Sequence, residues 1–427
     1  HAMTACSAKL QSLEYVAEGA WGETSTDMSS GVRIPTLEQV SIEGLTHEMV
    51  SPGRVVQLKN DSTAGIPGKQ GGSFTFSVHL AGYGGTTASS VAVEVLGNLL
   101  GWAIGTNSVS AAAGTTVSGS GSTVTSVDTV ASATFAAGSL VRIGAKGDGG
   151  ADGQWAVVNA HTLTALSLRT ALAAAPANGA IVYAPETVYS AETSCAVTPW
   201  RFQILTADTQ WVAHGCFPTA ISFDNLGPGM IPTAKITVGV SWFEPVSTTF
   251  PSAKSVSTAT PSPVAQGSAF FQTHGTTTRA TLGIRSLSIA YALGVQPIMG
   301  IDGNSPYQCI TGASRTADTV TVTMVVDAGG ASTTPTYWTA WLTNAAKHLL
   351  LGLSTVDGQA LAFYLSRCFW EGNRPTQVDS DGLNRVTVTL RGAANTVTTN
   401  DLSRSMFRVG LAGCWLSPRS RSSGTTR

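Results

Sequence analysis

One order of elements occurs twice along this chain, and that constrains its fold more than any other feature. Val40 to Val50 and Ser73 to Gly82 alternate apolar and polar side chains, the period of a half-buried strand, with a turn-rich stretch from Asn60 to Gly72 between them. From Val91 to Gly105, Val91, Val95, Leu99 and Trp102 recur at helical spacing, with Ser89 or Ser90 as N-cap and Gly105 as the stop. The second half repeats this order. Ser288-Ile289 precedes a run of turns, Thr319 to Gly329 reads as a strand, and Tyr337 to Gly352 reads as a helix with Trp338, Leu342 and Ala345 or Ala346 on one face. Ser41-Ile42 to Ser288-Ile289, Gly82 to Gly329 and Gly105 to Gly352 are each 247 residues apart.

Beyond the helices the spacing shortens, because Cys216-Phe217 matches Cys368-Phe369 at 152 residues. Alternating strands follow in both copies, Lys235 to Trp242 and Arg385 to Leu390. The first copy therefore carries an insertion of about 95 residues, the difference between 247 and 152. Composition locates it: residues 107 to about 190 turn to Ser, Gly, Ala and Thr, with short strands such as Ser139–Ile143 and Ala180–Tyr183. One mismatch stands out, since the alternation at Phe74 and Phe76 is a residue out of phase with Val320 and Val322.

The expected fold is mainly β with one helix per copy, in two tandem copies plus a small inserted β-domain. Residues 1–35 form an N-terminal arm, 36–106 with 196–245 the first unit, and 107–195 the insertion. Residues 246–282, rich in Ser, Thr, Pro and Gln, form a linker or extended arm; 283–413 form the second unit and 414–427 a mobile basic tail.

At 427 residues the chain exceeds the size of one hydrophobic core. Charged residues make up only 11%, against roughly 25% in an ordinary soluble domain, while 43% are hydrophobic. Surface buried against neighbours needs little charge, which points to self-assembly. Residues 1–250 hold 17 acidic and 10 basic groups and residues 251–427 hold 8 and 14, so the halves stand near −7 and +6. That opposition either orients the halves and steers association or is plain solvated charge. The six cysteines, Cys6, Cys195, Cys216, Cys309, Cys368 and Cys414, show no ligand spacing and are expected as free buried thiols. Val91 to Ile104 carries Glu94 and Asn98 and is shorter than the roughly 20 residues of a membrane span, so a soluble protein with no membrane partner is expected.

Catalytic patterns are present only as near misses. Gly65 to Gln70 has the Gly-Lys of a phosphate loop but neither its first glycine nor its Ser or Thr. His47-Glu48 lacks a second histidine four residues on, and no Gly-x-Ser-x-Gly occurs. Asp379 and Asp381 lie in a turn that lacks the distal acid of a calcium loop. Trp200, Trp211, Trp242, Trp338, Trp341 and Trp370 fall in expected strands or the helix, as core residues or, alternatively, a carbohydrate-stacking platform. The expectation is a non-enzymatic protein with no catalytic, cofactor-binding or metal-binding residues.

Glu14 to Thr24 followed by Arg33 to Leu37, then Ile66 to Phe76, together with the strand–helix–strand order of each copy, resemble the major tail tube proteins of long-tailed bacteriophages. The resemblance covers most of the chain outside the insertion. It implies a β-sandwich with one flanking helix whose inner strands close with neighbours into a barrel, stacked rings of which conduct DNA and ejected proteins. The common pattern has one unit per subunit and six subunits per ring; two units per chain imply a trimer with pseudo-sixfold symmetry. The implied partners are further copies of the chain and the tape measure, terminator and distal tail proteins, with transient passage of DNA. The implied place is the virion tail, assembled in the host cytoplasm. Residues 1–35, 51–72 and 246–282 would clasp adjacent rings, with the insertion outside. Alternatives are a glycan-binding adhesin, a terminator, distal-tail or baseplate protein of the same fold, and a β-rich hydrolase.

Overall fold

The computed structural model describes residues 12–24, 28, 31–38, 40–50, 66–80, 91–108, 115–118, 122–129, 135–144, 154–162, 164–183, 186–190, 197–205, 210–246, 263–274, 281–301, 308, 310–327, 341–355, 360–372, 376–380, 383–394 and 405–412. The first third contains β1 (Ser12–Ala17), β2 (Val32–Ile34), β3 (Ser41–Val50), β4 (Ile66–His79), helix α1 (Val91–Ile104), β5 (Gly105–Ser108), β6 (Thr115–Thr116), β7 (Ser126–Asp128) and β8 (Leu140–Gly144). Then come β9 (Gln154–His161), β10 (Ala165–Leu168), β11 (Ile181–Tyr183), β12 (Glu186–Ser190), β13 (Trp200–Leu205), β14 (Gln210–Asp224), β15 (Thr233–Val240), β16 (Trp242–Val246), β17 (Val264–Thr273) and β18 (Thr281–Leu282). The chain continues with β19 (Ile284–Ala292), β20 (Val295–Met299), β21 (Ile310–Arg315), β22 (Thr319–Asp327), β23 (Lys347–Thr355), β24 (Ala360–Trp370), β25 (Thr376–Ser380), β26 (Leu383–Ala393) and β27 (Phe407–Ala412). The protein is mainly β, its sheets are antiparallel, and among the described residues no barrel closes.

Strand pairing repeats residue by residue. In the first half β3, β4, β15, β14 and β13 pair in that order, with β1 on the outer side of β13 and β2 on β1. In the second half β19, β22, β26, β24 and β23 do the same, with β17 outside β23 and β18 on β17. β16 on β14 matches β27 on β24. One correspondence runs through the pairings: Ile42 opposite Phe74 matches Ile289 opposite Val322, Ile236 opposite Phe76 matches Val388 opposite Met324, and Tyr15 opposite Phe202 matches Phe271 opposite Leu349. Even a bulge recurs, between Trp200 and Phe202 and again between Lys347 and Leu349. A bulge inserts one residue and turns the strand, so finding it at equivalent sites marks the two halves as one eight-strand unit used twice.

This register explains the phase mismatch. Phe74 and Phe76 correspond to Val322 and Met324, so the offset within that strand is 248 rather than 247, and all four side chains are buried. Strand period is two, so a one-residue error would have turned the apolar set to the wrong face. The units also begin earlier than expected. β1 and β2 lie in the expected arm and β17 and β18 in the span expected as linker or at its end, yet they are equivalent strands of the two units.

Two further expectations need correction. Tyr337 to Gly352 is not one helix: residues 341–343 are helical, Asn344 turns with φ 44, and Lys347 onward is β23, while residues 337–340 lie outside the described set. The misreading comes from Leu349, Leu350 and Leu351. Leu349 and Leu351 belong to the main core and Leu350 to a cluster on the opposite face, and a strand buried on both faces reads as a continuous apolar run. The turn-rich stretch Asn60 to Gly72 is likewise partly strand, because β4 starts at Ile66 and pairs with β3 up to Val50. Residues 60–65 lie outside the described set.

Strands β6 to β11 form a separate six-stranded sheet around Val117, Val127, Val141, Ala156, Leu166 and Val182, all fully buried. Its stems, β5 and β12, pair with each other from Gly105–Ser190 to Ser108–Thr187 and belong to the main sheet. The chain thus leaves and returns at one place, the geometry that lets an extra sheet sit on a unit without interrupting it. Its other face is not solvent: Leu140, Trp155 and Val157 pack on Phe270, Leu350, Ala360, Ala362 and Tyr364 of the second unit.

Candidate assembly edges

The two units meet edge to edge. The outer side of β14 pairs with β19 through Ala220–Ala292, Ile221–Tyr291, Ser222–Ala290 and Phe223–Ile289. Around this seam the core is continuous, with the Phe223 ring 5.0 Å from Phe363 and 5.9 Å from Phe407, and Tyr291 5.5 Å from Phe407. The Tyr291 hydroxyl donates to Asp318 at 2.5 Å, and the other Asp318 oxygen accepts from the Gly294 amide at 3.2 Å. Arg315, on β21 of the second unit, donates to the carbonyls of Ile104 at 2.7 Å and Ala103 at 2.8 Å. These are C-terminal carbonyls of α1, which have no partner inside the helix and carry its negative end, so the guanidinium fills both needs. A second link adds β12 to the outer side of β27, from Glu186–Leu411 to Tyr189–Arg408.

At the two ends of this tandem the equivalent edges have no such partner. Among the described residues β3 pairs with β4 alone, and its outer side corresponds to the side of β19 that β14 covers. β25 pairs with β26 alone, continuing the line of β24 as the distal half of β14 continues its proximal half. An open strand edge offers a row of backbone donors and acceptors to another chain.

A buried polar cluster pins the N-terminal segment onto the first unit. Glu18, 5% exposed, accepts hydrogen bonds from the amides of Gly22 at 3.0 Å and Gly215 at 3.0 Å, and lies 3.8 Å from His214. Gly215 has φ +57 and a Cβ there would lie 2.7 Å from that of Ser241, so only glycine lets the amide approach the carboxyl. His214 stacks on Trp242 with centroids 3.9 Å apart and contacts Glu244 at 3.2 Å and the Glu23 carbonyl at 3.2 Å. Burial pushes the Glu18 carboxyl up to about 8, against the pull of its two amide donors and Arg201. Burial, with Arg201 nearby, pulls the His214 imidazole down to about 4, opposed by Glu244.

The motifs singled out in the sequence are scattered. Ile66 to Gln70 lie in β4 and His47 in β3 opposite Gln70, so the Gly-Lys stretch is strand rather than phosphate loop. Asp379 lies in β25 opposite Asn384 and Ser380 pairs with Leu383, a hairpin whose Asp381 and Gly382 lie outside the described residues. Among the described residues no group of three His, Cys, Asp or Glu is placed to hold a metal ion. Trp200, Trp242 and Trp370 are buried, Trp211 and Trp341 are partly buried against the core, and Trp338 lies outside the described set. Trp200 is sandwiched between Tyr15 at 4.2 Å and Trp102 at 4.4 Å, which ties β1 and α1 to β13. Cys216 and Cys368 are free, buried and equivalent in the two units; the other four cysteines lie outside the described residues. No described helix is long and apolar enough to cross a membrane.

No signal in the sequence marked the β14–β19 seam or the pairing of Glu18 with His214. Their members are far apart in the chain and meet only through sheet register. No protein-family model matches this chain, and a search of curated proteins finds no match.

Proposed function

We propose that the protein is a structural subunit of a bacteriophage tail tube, assembling with itself into rings that stack into a conduit for DNA. One observation carries this reading: an eight-strand unit occurs twice, the copies join edge to edge, and among the described residues each end of the tandem leaves the equivalent edge without a strand partner. A head-to-tail contact of this kind generates a ring if its rotation closes and a filament if it does not. Six units from three chains make the ring, and an open edge that would otherwise invite aggregation becomes the assembly device. The virion tail is the proposed location, with tape measure, terminator and distal tail proteins as further partners. Burial of Trp200, Trp242 and Trp370 favours this reading over a glycan-stacking surface, because rings packed in a core present no face to a sugar.

Negative-stain microscopy of the purified chain tests it. Rings or hollow tubes with pseudo-sixfold symmetry are expected. Monodisperse monomers across a wide concentration range would refute the proposal.

A further inference from the structure

The seam inside the chain carries more than the fact of assembly. Resting on the self-assembly reading, we infer that the contact between successive chains is a copy of this internal seam, formed by the outer edge of β25 on one chain and the outer edge of β3 on the next. The correspondence between the units supplies its register. Ser222 opposite Lys235 and Phe223 opposite Ala234 in the first unit match Thr376 opposite Thr387 and Gln377 opposite Val386 in the second. Ile289 and Ala290 of β19 match Ile42 and Glu43 of β3. Phe223 faces Ile289 and Ser222 faces Ala290 within the chain. Between chains, Gln377 therefore faces Ile42 and Thr376 faces Glu43, antiparallel.

Two independent observations agree with this joint. Both edges are available, since among the described residues β3 and β25 each have a strand partner on one side only. The charge balance also favours it, because residues 1–250 hold 17 acidic and 10 basic groups and residues 251–427 hold 8 and 14. Joining the second unit of one chain to the first unit of the next sets a basic body against an acidic one at every seam. Joining like units would set like charge against like. The same rule selects heterologous joining over a two-fold pairing of β3 with β3.

Disulfide trapping in the full-length chain tests the register. Directly opposed residues of an antiparallel pair have Cα atoms about 4.5–5.5 Å apart, within the span of a disulfide. The double variant Ile42→Cys with Gln377→Cys, mildly oxidised after assembly, should give a covalent ladder ending at a closed trimer on a non-reducing gel. Glu43→Cys with Thr376→Cys is a second pair in the same register, in case the first disturbs folding. The off-register pair Ile42→Cys with Val378→Cys should link at least about tenfold less, because adjacent strand residues point to opposite faces. Single-cysteine variants report any background from the native thiols. Rings by microscopy with no ladder from either matched pair, or with equal linking off register, would overturn the joint while leaving self-assembly standing. Absence of any ring would overturn both.

Discussion

Replacing Arg315 by methionine should loosen the seam between the two units by about 3–5 kcal/mol. The side chain is 7% exposed, and its two terminal nitrogens donate at 2.7 and 2.8 Å to the carbonyls of Ile104 and Ala103. A hydrogen bond from a charged donor contributes about 1.5–3 kcal/mol, and the two lost bonds leave acceptors at residues that are themselves fully buried. Methionine keeps most of the volume, so the loss falls on hydrogen bonding and on the negative helix end rather than on packing. Lysine keeps the charge but lacks the planar fork, so Arg315→Lys should cost about half as much. Equilibrium urea unfolding followed by tryptophan fluorescence measures the totals, and amide hydrogen exchange locates them. The last turn of α1 should exchange faster in R315M while the β22–β26 ladder keeps its protection. As a control, Arg285→Met removes an ion pair to Asp327 at 3.0 Å whose partners are 56% and 34% exposed, and should leave the urea midpoint essentially unchanged because solvent screens the pair. An R315M variant within about 1 kcal/mol of the parent, with unchanged exchange in α1, would refute the assigned role.

The Glu18 site predicts a pH dependence with a definite sign. Its folded carboxyl titrates near 8 and the unfolded one near 4.5, so the folded state holds the extra proton between those values and stability falls as pH rises through them. His214, lowered from 6.5 to about 4, works the opposite way up to pH 6.5, so the two largely cancel below that and Glu18 acts alone above it. Thermal or urea unfolding should therefore weaken from pH 6.5 to 8 with a slope approaching ~1.4 kcal/mol per unit, and Glu18→Gln should flatten it. An unchanged slope in that variant would count against burial as the cause. Excising residues 110–184 and closing β5 to β12 with Asn-Gly should leave ring formation intact, because those two strands already pair. The cost should be lower solubility, since Phe270, Ala360, Ala362 and Tyr364 lose their cover from Leu140, Trp155 and Val157. Loss of folding, read by circular dichroism, would show that the inserted sheet is part of the unit it sits on.

Much of the architecture was legible where one physical signal dominated. β22 alternates buried and half-buried residues along its whole length, and period two announced it. α1 was legible from apolar residues at helical spacing closed by Gly105. Legibility failed where burial on both faces erased the alternation, as at Leu349 to Leu351. It failed again where β1 and β17 share a place in the fold with little likeness in sequence, since their pairing with β13 and β23 runs through backbone bonds that many side chains permit. The candidate site was less legible still. Glu18 and His214 looked like unrelated polar residues until the Gly215 turn set an amide and an imidazole beside the carboxyl.

Residue order alone established that the chain is β-rich, that one order of elements is used twice, and that the first copy carries extra residues. Periodicity and spacing are local properties, written in side chains. It took the assembled strands to show that the units begin at β1 and β17, that Phe74 answers to Val322, and that β14 meets β19 while β3 and β25, among the described residues, pair on one side only. Sheet edges are matched by backbone donors and acceptors that every residue but proline carries. Which edges meet is therefore set by register, bulges and packing, and becomes visible only when the strands are assembled.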